Sequence, residues 1–118
     1  YQLPLGEALQ AFDAQEQRFG VHGGDMETSL MLAIAPHKVR MEEAQHFHSA
    51  SQDRAARFTL LGDGKSAKLG WHMQDYNPHG AAGNAALATA DKGKALLDAA
   101  GAQLAKLLQE LIQFEPLI

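Results

Sequence analysis

A histidine and a glutamate five residues apart, His22 and Glu27, flank the stretch Gly23-Gly24-Asp25-Met26 at the mouth of an apolar helix. Histidine is the usual proton carrier near neutral pH, and a carboxylate beside it can orient the ring or bind a hard cation. The connection runs through a loop, so both side chains can reach one point. Paired glycines allow a sharp entry turn or a close backbone approach to a ligand, and the unpaired N–H groups of a helix start favour an anion. Asp25 is placed to cap this end, with Glu27 in the first turn, where the helix dipole favours negative charge. The plainer alternative is a Gly-Gly turn followed by a glutamate that only complements the dipole, and spacing alone favours it. Two donors are also too few for a tight metal site, because a catalytic zinc typically has three protein ligands.

Other chemistries fail on pattern. Gly62-Asp63-Gly64-Lys65-Ser66 ends like a phosphate-binding loop, but the pattern needs a glycine where Thr59 stands and a long helix after Ser66. Gly70 and Trp71 interrupt that helix, so a polar turn is expected. His46-Phe47-His48 would aim two imidazoles at one face of a strand, where they could bind a metal. Their neighbours Gln45, Ser49, Ser51 and Gln52 point to an exposed loop instead. No His-Glu-x-x-His helix or Gly-x-Ser-x-Gly elbow occurs, and without cysteine there is no thiol nucleophile, thiolate site or disulfide. His37, His72 and His79 are scattered and read as surface or supporting residues.

The elements that must position His22 and Glu27 follow from periodicity. Leu5, Ala8, Leu9, Phe12 and Phe19 share one side of an amphipathic helix over Leu5–Phe19, ending near Gly20. The central helix, about Asp25 to Ala35, is apolar on nearly every side, so burial is expected, and Pro36 closes it. A further turn or two of helix follows over His37–Ala44, with Glu42 and Glu43 solvated. Periodicity fades from Gln45 to about Leu87. Phe58–Leu61 suits a short strand before a turn at Gly62–Gly64, and Asn77-Pro78-His79-Gly80 is a turn by composition. Gly80–Ala90, rich in Ala and Gly, permits close backbone packing. Thr89 or Asp91 can cap a closing helix to about Phe114. Its stripe is Leu96, Leu97, Ala100, Leu104, Leu107, Leu108, Leu111 and Ile112, interrupted by Gly93 and Gly101. With no internal repeat or linker, the 118 residues form a single domain. A net charge of -4 argues against a nucleic-acid partner. No apolar run reaches the roughly 20 residues of a membrane span, and no signal peptide is visible. The absence of cysteine fits a reducing, cytoplasmic setting. The chain begins without methionine, as a processed product or a piece of something longer would.

Three stretches in order resemble the creatininase (creatinine amidohydrolase) family. They are His22–Pro36 continuing through Val39–Met41, then Trp71–Asn84 with its Trp-x-x-x-Asp-x-Asn-Pro-x-Gly-x-x-Gly spacing, and Ala88–Gly93 ahead of the closing helix. The resemblance implies an α/β fold. This piece would be the C-terminal part of a three-layer α/β/α creatininase-like domain, mostly helical with one or two short strands. It implies a metal-dependent amidohydrolase that cleaves a cyclic amide C–N bond with two divalent ions (zinc, manganese or iron). By the same likeness His22 is the catalytic histidine and Glu27 lies at or beside a metal. Gly23, Gly24, Trp71 and Asp75 belong to the substrate-site rim, the last two also suiting a subunit contact. The family's Glu-x-His with its following Asp, and its Asn-Gly-His, do not occur here. The implied chain is therefore a C-terminal half that acts on a small-molecule amide only with its missing N-terminal segment, in a hexamer-like homo-oligomer. Two other readings stand beside it: a non-catalytic assembly or binding subunit of the same fold, and an unrelated small helical interaction domain built on the closing helix.

Overall fold

The computed structural model describes residues 3–61 and 67–117. The turn expected at Gly62–Gly64 and the loop-like string ending at Ser66 lie outside the described residues. The described elements are the helices α1 (Ala14–Phe19), α2 (Asp25–Ile34), α3 (Ala50–Arg57) and α4 (Ala90–Gln113), short 3-10 turns, and the strands β1 (His46–Phe47) and β2 (Gly83–Asn84). The strands pair antiparallel, His46 opposite Asn84 and Phe47 opposite Gly83. The described residues are thus mostly helical with one short sheet, as expected. None of the described helices is long and apolar enough to cross a membrane.

The packing centres on α2 against α4. Thr89 caps α4, its Oγ1 accepting from the Lys92 N–H at 3.2 Å. Gly93 then lies so close to α2 that a methyl group there would overlap the Ser29 carbonyl. That glycine is a packing requirement and outweighs the roughly 1 kcal/mol that glycine costs in a helix. The other helical glycine, Gly101, meets nothing within 4 Å. Helix α2 stops at Ile34, since a residue before proline is pushed out of helical geometry; Ala35 has φ -150° and Pro36 starts a 3-10 turn, Pro36–Lys38. A second 3-10 turn, Met41–Glu43, leaves Glu42 and Glu43 exposed.

Several expectations change. The single helix over Leu5–Phe19 is two pieces, a 3-10 segment Gly6–Ala11 and α1, parted at Phe12 and Asp13. Asp13 breaks it by capping α1, its Oδ1 accepting from the Glu16 N–H at 2.7 Å, while Phe12 turns into the core. Residues 45–57, expected as loop, contain β1 and α3. Phe58–Leu61 is no strand; Leu61 makes one isolated bridge, to Ala67. Most informative is the burial of α2. Its fully buried side chains are the polar Asp25 and Ser29, while Met31 and Ile34 are 40% and 62% exposed. Likewise the stripe of α4 is anchored at Leu96, whereas Leu108, Leu111 and Ile112 lie in the open. Apolar side chains are covered only where another element reaches them, and within this chain little reaches either face.

Candidate functional site

The entry to α2 is built from a bridge, a left-handed glycine and a glycine cap. Val21 and His22 form a short bridge with Ala82: the His22 N–H donates to the Ala82 carbonyl at 3.3 Å, and the Ala82 N–H returns to the His22 carbonyl at 2.8 Å. Gly23 then takes φ 64°, the left-handed region that a side chain disfavours. Gly24 is the N-cap residue, with no side chain to satisfy the first N–H groups. Asp25, expected as the cap, is instead the first helical residue and points into the core.

Glu27 turns back over this entry. Its Oε2 accepts the Gly23 N–H and lies 3.3 Å from His22 Nδ1, so histidine and carboxylate meet, as the spacing allowed but did not favour. Thr28 Oγ1 adds a contact to the Gly23 carbonyl at 3.4 Å. Both members of the pair are more than half exposed. They line an open cleft of about 400 Å³ with Gly23, Thr28, Met31, Val39 and the charged Lys38, Arg40 and Glu43. This falls within the usual range of ligand sites, roughly 300–1,000 Å³. Gly24 lines a smaller hollow of about 190 Å³ on the other side of the pair. A carboxylate at Nδ1 favours the tautomer with its proton there, leaving Nε2 as the basic nitrogen.

Between α2 and the start of α4 lies a largely buried polar cluster that sequence reasoning missed. Lys92 Nζ donates to Asp25 Oδ2 at 2.6 Å and to the Leu87 carbonyl at 2.7 Å, and sits over the Phe12 ring. Ser29 Oγ donates to Asp25 Oδ1 at 3.0 Å and accepts from the Thr89 N–H at 3.1 Å. A buried charge needs such a partner and fully used hydrogen bonds. No periodicity marks these residues, because Asp25 and Lys92 are 67 positions apart.

Trp71 and Asp75 line neither hollow beside His22. Trp71 packs edge-on to Tyr76 with ring centroids 4.9 Å apart. Asp75 Oδ2 accepts the His72 N–H at 2.7 Å and so shapes its own turn. Asn77 closes the turn after it, accepting from the His79 N–H and donating to the His48 carbonyl, each at 2.8 Å. His46 and His48 go separate ways, toward Gln15 and Asp53.

For a metal ion the donor set does not fit. His22 and Glu27 already satisfy each other, and among the described residues no group of three or more His, Cys, Asp or Glu could hold an ion.

The Creatininase family model (creatinine amidohydrolase) matches residues 3–108. The chain is also similar to the crystal structure of a Bacteroides fragilis protein provisionally named creatinine amidohydrolase, with TM-score 0.65 and 25% identity. The likeness covers 92% of this chain and 42% of that one, so the chain spans about two fifths of its solved relative. No curated protein matches it.

Proposed function

The chain belongs to the creatininase family, and from that premise we propose that it is the C-terminal part of a creatininase-type amidohydrolase acting on a small, cyclic amide. The observation that carries the reading is the His22–Glu27 pair on the wall of an open cleft, at the first family-like motif. Hydrolysis breaks the C–N bond, adds hydroxyl to the carbonyl carbon and a proton to the leaving nitrogen. In this reading Glu27 holds Nδ1 while Nε2 of His22 takes up the proton and delivers it to that nitrogen. The family is generally metal-dependent, and the further ligands its divalent ions need, beyond Glu27 at or beside one of them, would come from outside this chain.

Activity in this reading needs the missing N-terminal segment. The family resemblance of the motifs supports it, as does the extent of uncovered apolar surface on α2 and α4. The assembled protein would be a cytoplasmic homo-oligomer, with Trp71, 47% exposed, available to a subunit contact or site rim. The family match replaces the reading as an unrelated helical module.

The decisive experiment compares the complete protein with its His22→Ala variant on a panel of cyclic amides, creatinine among them. Turnover should be lost while circular dichroism stays unchanged; retained turnover would remove His22 from the reaction. The second reading, a non-catalytic subunit, draws on the two-donor site. It requires that the complete protein neither binds divalent metal at equilibrium dialysis nor turns over any amide of the panel.

A further inference from the structure

We propose that Glu16 is a positioning residue of this site. Its buried carboxylate clamps the start of α2 to β2 and thereby sets the His22–Gly24 turn and Glu27. The proposal rests on the reading of His22 and Glu27 as the reacting pair. Glu16 is 8% exposed, on a short helix whose other polar side chains face water. Its Oε1 accepts the Met26 N–H of α2 at 3.2 Å, and its Oε2 accepts the Asn84 N–H of β2 at 3.1 Å. Among the described residues no cation pairs with it. The donors are backbone groups, one at the positive end of α2, where the dipole supports a negative charge.

The backbone closes tightly around this carboxylate. A methyl group at Gly24 would stand 2.5 Å from Oε1 and 2.8 Å from the Gly83 Cα, and one at Gly83 would stand 2.8 Å from Oε2. One at Gly20 would come within 3.0 Å of the Glu16 Cδ. Three glycines on separate segments thus give Glu16 access to the junction of α1, α2 and β2. The Met26 bond ends one residue from Glu27, and Gly24, which closely approaches the carboxylate, is two residues from His22. The His22–Glu27 pair cannot hold this geometry itself, since exposed ion pairs contribute little. Asp13 completes the support by capping α1 through the Glu16 N–H.

Amide hydrogen exchange, followed by NMR on the full chain, tests this without substrate or metal. The reporter is the Gly23 amide, whose acceptor is Glu27, so substitution of Glu16 does not touch the reporting bond itself. Glu16→Gln should speed Gly23 exchange about tenfold or more relative to Leu107 in α4, because a charge-assisted anchor of the turn is lost. Leu96→Ala, which opens the α4 packing, should speed both sites together. Unchanged Gly23 exchange in Glu16→Gln, or equal acceleration at Gly23 and Leu107, would overturn the proposal. If Glu16→Gln does not fold, Glu16→Asp, which keeps the charge but shortens its reach, is read by the same two outcomes. In the complete protein Glu16→Gln should lower kcat while KM stays within about twofold, as loss of positioning predicts. An inactive wild-type protein would overturn the proposed reaction and leave Glu16 to be judged by exchange alone.

Discussion

At the scale of single residues, exposed and buried carboxylates divide the work. Asp25 is 1% exposed and depends on Lys92 for its counter-charge. Lys92→Met should therefore cost about 3–5 kcal/mol in urea unfolding, since it strands a buried charge. Glu27 lies on the surface beside His22, and Glu27→Ala should change the same measurement by less than about 1 kcal/mol. A strong loss of turnover in Glu27→Ala would then report on chemistry, with stability held nearly constant. Spacing in the sequence shows that His22 and Glu27 can meet. It also makes Asp25 look like a cap, because Asp at a helix start usually is one. Only the approach of α4 turns that side chain inward, toward a lysine far along the chain.

At the scale of elements, the two glycines of α4 read alike in sequence and behave differently in the fold. Gly93 touches the Ser29 backbone, whereas Gly101 faces open space. Gly93→Ala should destabilise by about 1–3 kcal/mol through overpacking. Gly101→Ala should stabilise the chain by roughly 0.5–1 kcal/mol through helix propensity. Thermal unfolding of both variants checks the pair. Thr89→Ala should cost about 1 kcal/mol, the usual value of an N-cap. The long amphipathic α4 was legible in sequence because its stripe repeats over several turns, and its cap was narrowed to Thr89 or Asp91 because capping is a local signal. Helix α3 and strand β1 were not legible. The strand has two residues, too few for any alternation, and its pairing with Gly83 and Asn84 is a long-range event.

At the scale of the whole molecule, the described fold is open. Its radius of gyration is 16.7 Å, against roughly 13–14 Å for a self-contained domain of this length. Among the described apolar residues the buried ones are Phe12, Ala82, Ala85, Ala88 and Leu96, three of them alanines. Ile112 is 85% exposed at the far end of α4, so Ile112→Gln should shift the unfolding free energy of this chain by no more than about 0.5 kcal/mol. A larger loss, measured by denaturant titration, would mean that the α4 end is covered in solution. The sequence by itself determined the main helix, two candidates for its cap (Thr89 and Asp91) and the Pro36 stop, because each follows from contacts within a few residues; it allowed His22 and Glu27 to meet without requiring it. The three family-like motifs were also visible as strings, but not why they belong together. Tertiary structure decided that. Ala82 bridges to His22, Gly83 opposes Gly24 across Glu16, and Lys92 pairs with Asp25. Such contacts join segments up to 68 positions apart, and their energy depends on burial and close approach, which no spacing along the chain encodes.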